Sequence, residues 1–346
     1  MKINKKTLAQ SGILFLIGIG FFAPMRADAL GQQIGNFDFL LTGYGMAGLI
    51  EPDFNEPKFL GDFKVRAQAA YNANREHKFG LSYTYDEIAL DEHEWAHDAF
   101  GFWQWQSVGR MEIGFTDSVA HKLALGLPDV GGLRINENSL IYRKIGAEGP
   151  VVADTVITSG YDALRVNIVS ASNQHAQYGL SVSGLTDDYD FGVAAGLKLK
   201  YSEGKTKMAF SLGTDFIDSP DGYTPHGGLP VYADWRAQVG TGLNVQYNSF
   251  VFGLNARAIY DENPTGIVSD GLSAGAGVSY DVLNYSLSVS YILSDTGIWH
   301  SDAPEYVDNT VVGSVRCKYN RYVDFWASLG LTRHEPFVAA AIRLNF

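Results

Sequence analysis

Phe337-Val-Ala-Ala-Ala-Ile-Arg-Leu-Asn-Phe346 is the stretch that decides the fold. Counting back from Phe346, Leu344, Ile342, Ala340 and Val338 are apolar, and the other parity carries Asn345 and Arg343. A period of two belongs to a strand with one greasy and one polar face. The same pattern recurs along the chain, and the charges stay on one face. A water-soluble sandwich buries its apolar face and shows the polar one. A transmembrane barrel does the reverse, with lipid outside and water inside.

The other end of the chain agrees. Lys2, Lys5 and Lys6 form a basic region, residues 13–22 are an apolar core, and Ala27-Asp28-Ala29 is an A-x-A cleavage site. Residues 1–29 therefore read as a signal peptide, with a barrel over 30–346. The apolar run is too short for a membrane helix, which needs about 20 residues. Removing 1–29 takes away four basic residues and one acid, so the remainder is more acidic than the whole chain's −12. An acidic total argues against nucleic acid as a partner. The single cysteine, Cys317, leaves no internal disulfide to stabilise an exported protein. A closed hydrogen-bonded ladder in lipid supplies the stability instead.

Alternating segments suggest about sixteen strands, at 37–48, 62–72, 78–88, 102–115, 118–127, 162–171, 176–185, 190–201, 206–217, 233–247, 250–260, 271–280, 284–294, 309–319, 322–333 and 337–346. Most reach the ~9–11 residues a tilted strand needs to cross a bilayer. The links alternate short and long, as expected when both ends of the chain lie on one side of the membrane. Thr116-Asp117, Ser202-Glu-Gly-Lys205, Asn248-Ser249 and Asn320-Arg321 are short. The long links are 49–61, 89–101, 128–161, 218–232, 261–270 and 295–308; 186–189 and 334–336 are short where the rule asks for length. Tyr247 with Phe250, Tyr280 with Tyr285, and Tyr319 with Tyr322 flank short turns, as an interfacial aromatic girdle would.

Parity assigns the faces. Phe63, Val65, Ala67, Ala69, Tyr71, Met111, Ile113 and Phe115 face lipid, as does Leu197. Lys64, Arg66, Gln68, Arg110, Glu112, Lys122, Arg165, Asn167, Lys198, Arg236, Arg257, Arg316 and Lys318 face the lumen. A charge on the lipid face at mid-depth costs roughly 2–4 kcal/mol, so these belong in water. Basic groups outnumber acids on the inward parity, with Glu112 and Asp215 the main acids placed there. Gln68 and Asn167 are expected to accept a basic substitution that Val65 and Leu197 would reject. Sixteen strands enclose an aqueous channel, where eight would be filled by side chains.

On these residues the chain resembles the general porins of Gram-negative outer membranes. The resemblance covers residues 30–346. It rests on the signal peptide, the strand count, the loop alternation, the final Phe346, and Gly109-Arg-Met-Glu-Ile-Gly-Phe-Thr-Asp117 running on to Leu125-Gly-Leu-Pro-Asp129. That stretch looks like a fourth and fifth strand leading into the third outer loop. The resemblance implies an all-β, antiparallel barrel whose long third outer loop, at 128–161, folds into the lumen as a constriction. It also implies a homotrimer, outer-membrane location, and passive diffusion of small hydrophilic solutes and ions. It implies no catalytic residue, cofactor or metal. Lys64, Arg66, Arg110 and Lys122 would be the basic cluster facing an acidic loop, with Glu112, Asp129, Arg134, Glu137 and Arg165 completing the pore lining. A channel selective for anions or sugars, and a surface-binding barrel acting as adhesin or receptor, are the alternatives. Residues 151–158 read either as the loop's returning limb or as a strand of their own; the first keeps the alternation.

Four features point elsewhere and are outweighed. His93-Glu-Trp-Ala-His97 matches the H-E-x-x-H zinc pattern, but it falls between strands in a loop crowded with Asp91, Glu92 and Asp98. That chemistry needs both histidines on one face of a helix. The Gly-rich run at 271–277 lies in a strand with no helix after it, so it is no phosphate loop. Its outward Ala274 and Ala276 are small enough for a subunit contact. Scattered Ser and His residues locate no Ser–His–Asp triad. Cys317, on the lipid parity between Arg316 and Lys318, is no nucleophile candidate.

Overall fold

The computed structural model describes residues 30–52, 57–89, 93–133, 155–157, 164–172, 175–184, 191–218, 235–262, 268–296, 306–332 and 335–346. The signal-peptide reading of 1–29 lies outside them. The strands are β1 (Leu30–Ile34), β2 (Phe37–Pro52), β3 (Lys58–Asn72), β4 (His77–Ala89), β5 (His93–Trp105), β6 (Gly109–Phe115), β7 (Leu164–Ser170), β8 (Ala176–Gly184), β9 (Phe191–Glu203), β10 (Thr206–Asp218), β11 (Trp235–Tyr247), β12 (Phe250–Glu262), β13 (Val268–Val282), β14 (Tyr285–Thr296), β15 (Tyr306–Lys318), β16 (Val323–Thr332) and β17 (Glu335–Asn345). A short helix, α1 (Val119–Leu123), follows β6.

Each strand from β2 to β17 pairs antiparallel with its neighbour, and β17 returns to β2, closing a barrel of sixteen strands. β1 forms a hairpin with the first half of β2, from Leu30↔Leu41 to Ile34↔Phe37. β17 takes the second half of the same edge, up to Asn345↔Tyr44. Phe346 adds two backbone hydrogen bonds to Gly43, at 2.8 and 3.0 Å. Closure leaves no open sheet edge in the ring, as lipid requires.

The registers carry the parity round the ring without a slip. Met46, Asp62, Asp86, Phe100, Glu112, Asn167, Ser181, Ala194, Asp215, Gln238, Ile259, Ser273, Ser294, Thr310, Thr332 and Ala341 share the inner face. The outer face is inverted with respect to a soluble protein. Leu81 and Leu329 are each 69% exposed, whereas inward Asn167 and Ser273 are 0% exposed. At ~25 cal/mol per Å², an exposed belt of this kind is stable only against lipid. Tyr247 pairs with Phe250, whose ring lies 4.4 Å from that of Tyr280, so the aromatics do cluster beside the short turns. Asn248 and Leu283, with φ near +50°, occupy two of those turns, and Gly204 a third.

The number of strands agrees with the sequence reading through two errors that cancel. Residues 102–115 are two strands, β5 and β6, joined by a turn at 106–108. The inward alternation of Phe102 and Gln104 resumes at Arg110, so the pattern hid the turn. Residues 118–127 are not a strand: α1 is followed by extended chain with no ladder partner. Their alternation of apolar residues is real, but it faces the inside of the barrel wall. Thr116-Asp117 is therefore the root of the long connection, not a short turn. That connection runs from 116 to 163, beyond the 128–161 expected. Strands also reach into other expected loops. β4 and β5 pair up to Ala89↔His93, so the H-E-x-x-H segment lies on a strand. Positions i and i+4 of a strand stand about 13 Å apart, too far for a shared metal. Among the described residues no cluster of His, Cys, Asp and Glu could hold one.

Candidate functional site

The interior is organised by the connection between β6 and β7, the third on the long-link side. Its described part, residues 116–133, runs along the inner wall from β8 to β2. Val119 N–H donates to Ser181 Oγ at 2.7 Å, Leu125 N–H to Ser211 Oγ at 3.1 Å, and Val130 N–H to Ser288 Oγ at 3.1 Å. Asn244 Nδ2 donates to Gly126 O at 3.2 Å. A second described limb, 155–157, returns beside it. Asn255 Nδ2 donates to Thr155 Oγ1 at 2.8 Å, and His121 Nδ1 donates to Ile157 O at 2.7 Å.

The wall makes room for this chain with glycine. Gly179, Gly196, Gly213 and Gly240 stand side by side on β8 to β11, all inward. Gly253 and Gly277 pair across β12 and β13, one step from Gly275. A Cβ on Gly179 would stand 2.8 Å from Val119, on Gly240 2.7 Å from Ile157, on Gly253 2.3 Å from Pro128, and on Gly275 2.6 Å from Leu127. The glycine-rich run at 271–277 is thus part of a groove for the connection. Ala274 and Ala276 do face outward.

Farther along, the groove gives way to an apolar seat inside the barrel. Leu127 and Leu133 pack with Met46, Ile50, Leu60, Ile292, Val312, Trp326 and Phe337. Sequence reasoning missed this cluster because inward positions were read as uniformly wet. The clue was Phe337, Ala339 and Ala341, which make the inward parity of β17 nearly as apolar as the outward one. Asp129 lies between groove and seat. It accepts from Gly131 N–H at 3.0 Å and from Ser288 Oγ at 3.2 Å. Burial pushes the carboxyl of this residue, which lies on the connection and not on a spanning strand, up to about 6 against those hydrogen bonds.

The opposite arc, β3 to β6, carries long side chains. Lys64 pairs with Asp86 at 3.0 Å. Arg110 pairs with Glu112 at 2.9 Å, its guanidinium 3.9 Å from the Phe102 ring centre. Lys122 is on α1, not on a strand, and reaches back to the same Glu112 while donating to Thr116 Oγ1 at 2.6 Å. Asn167 Nδ2 donates to Glu112 at 3.2 Å and to Asp117 O at 2.8 Å. Arg165 Nη1 donates to Thr116 O at 2.6 Å. Both Asn167 and Arg165 are buried, so they pin the root of the connection. The expectation that Asn167 would accept arginine is overturned: no space or water is left there. Arg66 differs from the rest. Exposed, with Nε donating to Ser82 Oγ at 3.2 Å, it has no carboxylate partner among the described residues. Arg134 and Glu137 lie outside the described residues.

The inner wall is also more balanced in charge than parity counting suggested. Asp62 and Asp86, on β3 and β4, are inward and nearly buried. Asp62 was legible from the parity of Lys64 and Arg66, and Asp86 from its alternation with Phe79, Leu81 and Tyr83. Tyr44 donates to Asp62 at 3.0 Å. His121 Nδ1 serves a main-chain carbonyl and its Nε2 lies 3.9 Å from Asp117.

The barrel is similar in fold to solved barrel proteins. One is the Salmonella typhi OmpF in complex with daunomycin, 10% identical, with 92% of this chain and 100% of that one aligned at a TM-score of 0.61. Another is OmpT, an outer membrane protein of Vibrio cholerae in its trimer form, 11% identical over 90% and 99% at 0.63. A third is an anion-selective porin from Comamonas acidovorans, 11% identical over 90% and 100% at 0.58. At these identities the likeness establishes the fold, a porin barrel. No protein-family model matches the chain, and no curated protein matches it.

Proposed function

We propose that the protein is an outer-membrane porin, a water-filled channel for passive diffusion of small hydrophilic solutes and ions. The observation that carries this reading is the division of the interior. One arc is covered by the connection, while the facing arc presents half-buried Lys64 and exposed Arg66. Charged side chains keep that exposure inside a barrel only if water reaches them. In this reading Lys64, Arg66, Arg110, Glu112, Lys122 and Asp129 line or support the constriction, joined by Arg134, Arg165 and Glu137. Neither a catalytic residue nor a cofactor is part of it. Residues 1–29 direct export and are removed, and the barrel assembles as a homotrimer in the outer membrane, in keeping with the trimeric Vibrio cholerae protein.

A second reading, selectivity for anions, draws on Arg66, the cation of that arc with no carboxylate partner among the described residues. Planar-bilayer recording tests both. Conductance that scales with salt, with a reversal potential weakly favouring anions at low salt, is the expected result. Saturation by a single solute class would replace the general pore with a selective one. A folded, inserted protein that passes no current would leave a binding protein in place of a channel.

A further inference from the structure

The short-turn mouth of the barrel is charged in two different ways. On β13 to β17 and β2 to β4 its cations sit among acids. Lys78 pairs with Asp38 at 2.7 Å, and Lys318 and Arg343 both stand opposite Asp324. Arg316 donates to Ser286, which donates to Asp281. On β9 and β10 the pattern is otherwise. Lys198, Lys200 and Lys207 all lie on inward parity. Lys198 and Lys200 share one face of β9, about 7 Å apart. Lys207 is the diagonal neighbour of Lys200, at about 7–8 Å. The positions facing them hold Gln177 and Ser211, His175 and Ala209, and Ser202 and Gln246. None is an acid. Lys200 donates to Ser172 Oγ at 2.8 Å, and no carboxylate pairs with any of the three among the described residues. Glu203, the acid next in sequence, is outward and engages Tyr201. Asp215, the inward acid of β10, stands about 13 Å up the strand from the level of Lys198.

Adjacent like charges on a sheet repel, so a row of lysines that nothing neutralises lowers stability. Among amides and hydroxyls, which add donors and no charge, such a row is a site waiting for negative charge. Its upper end is fixed by the groove: Ser211, opposite Lys198, accepts the Leu125 N–H of the connection. The row therefore begins directly below the constriction and descends to the mouth.

We infer that Lys198, Lys200 and Lys207 form a docking station for multivalent oxyanions of the phosphate class at the short-turn mouth. This deepens the channel reading and rests on it. A phosphate dianion bridges Lys198 and Lys200, or Lys200 and Lys207, through two oxygens at once. A monovalent ion such as chloride engages one ammonium at a time. The station accordingly discriminates by valence, whereas Arg66 sets preference by sign.

The test uses the full-length folded protein and inorganic phosphate. In bilayers at about 0.1 M KCl, where the Debye length is ~10 Å, phosphate added on the short-turn side should reduce chloride current. Its half-blocking concentration should rise at least tenfold in K198Q/K200Q/K207Q and remain within about twofold of wild type in K198R/K200R/K207R. R66Q should shift ion preference and leave the block unchanged. A conducting channel whose phosphate block ignores the triple glutamine variant overturns the station and leaves the porin reading standing. A second readout does not need conductance: phosphate should protect Lys198 and Lys200 from acetylation relative to Lys205 in the turn. Equal labelling of the three with and without phosphate overturns the inference.

Discussion

The arc from β8 to β13 and the arc from β3 to β6 belong to one sheet, yet they solve opposite problems. The first gives up side chains at Gly179, Gly196, Gly213, Gly240, Gly253 and Gly275 so that a backbone can lie against it. The second fills the same inward positions with Lys64, Arg66, Gln68, Gln104 and Arg110. The difference teaches that a barrel's interior is set by which inward residues are missing as much as by which are charged. Among the described residues the connection lies against the first arc and leaves the polar side chains of the second uncovered.

Glu112 joins the two arcs, because it holds Arg110 of the wall and Lys122 of the connection at once. Glu112→Gln should therefore have the largest effect, about 3–5 kcal/mol, by leaving two half-buried cations unpaired. Thermal or denaturant unfolding in detergent measures it; a loss under 1 kcal/mol would mean the arcs are not joined there. The outer faces of both arcs should behave alike. Val65→Arg and Leu197→Arg should each cost ~2–4 kcal/mol of assembly free energy, and Gln68→Arg nearly nothing. Equal assembly yields for Val65→Arg and Gln68→Arg would show that the assigned faces are wrong.

Within the groove, Gly253→Val forces a side chain into Pro128 and should cost ~1–3 kcal/mol by overpacking. At outward Gly313 the nearest atom to an added Cβ is 3.8 Å away, so Gly313→Ala should be silent. Matching effects at the two glycines would remove the distinction between the groove and the outer wall. A smaller effect separates the seat of the connection from its surroundings by pH. The Asp129 carboxyl, raised by burial to about 6 from an ordinary 3.8, is neutral in both folded and unfolded states below pH 4. Its contribution to stability is present there and is lost as pH rises through about 6. Protease nicking of the connection should increase over that range, and Asp129→Asn should flatten the profile. The smallest effect is electrical. Arg66→Glu should move the reversal potential toward cations. Arg110→Gln should move it less, since Glu112 already offsets that charge. A larger shift from Arg110 would reverse the roles assigned to them.

Face alternation was legible because period two survives in any strand with lipid on one side, and it placed Lys64, Arg66, Arg110, Glu112 and Arg165 inward correctly. The turn at 106–108 and the helix at 119–123 were not legible. At the first, alternation continues in phase across the hairpin. At the second, apolar residues spaced by two pack on a glycine floor, a partner that periodicity does not name. The pairing of Lys64 with Asp86, and of Glu112 with Lys122, depends on which strands become neighbours and where the connection lies. Neither is encoded within a single segment.

The ring has one seam. All its other ladders join strands adjacent in sequence, while β17 meets β2 across nearly the whole chain. Loop-closure entropy grows only with the logarithm of length, so stitching this seam last adds little over stitching a shorter one. It does make completion an all-or-none event, deferred until every hairpin stands. Two separate segments, β1 and β17, share the work along one edge of β2 and meet opposite Thr42. A barrel arrested during insertion should therefore gape at Thr42, and a reagent that reads open sheet edges would find it there.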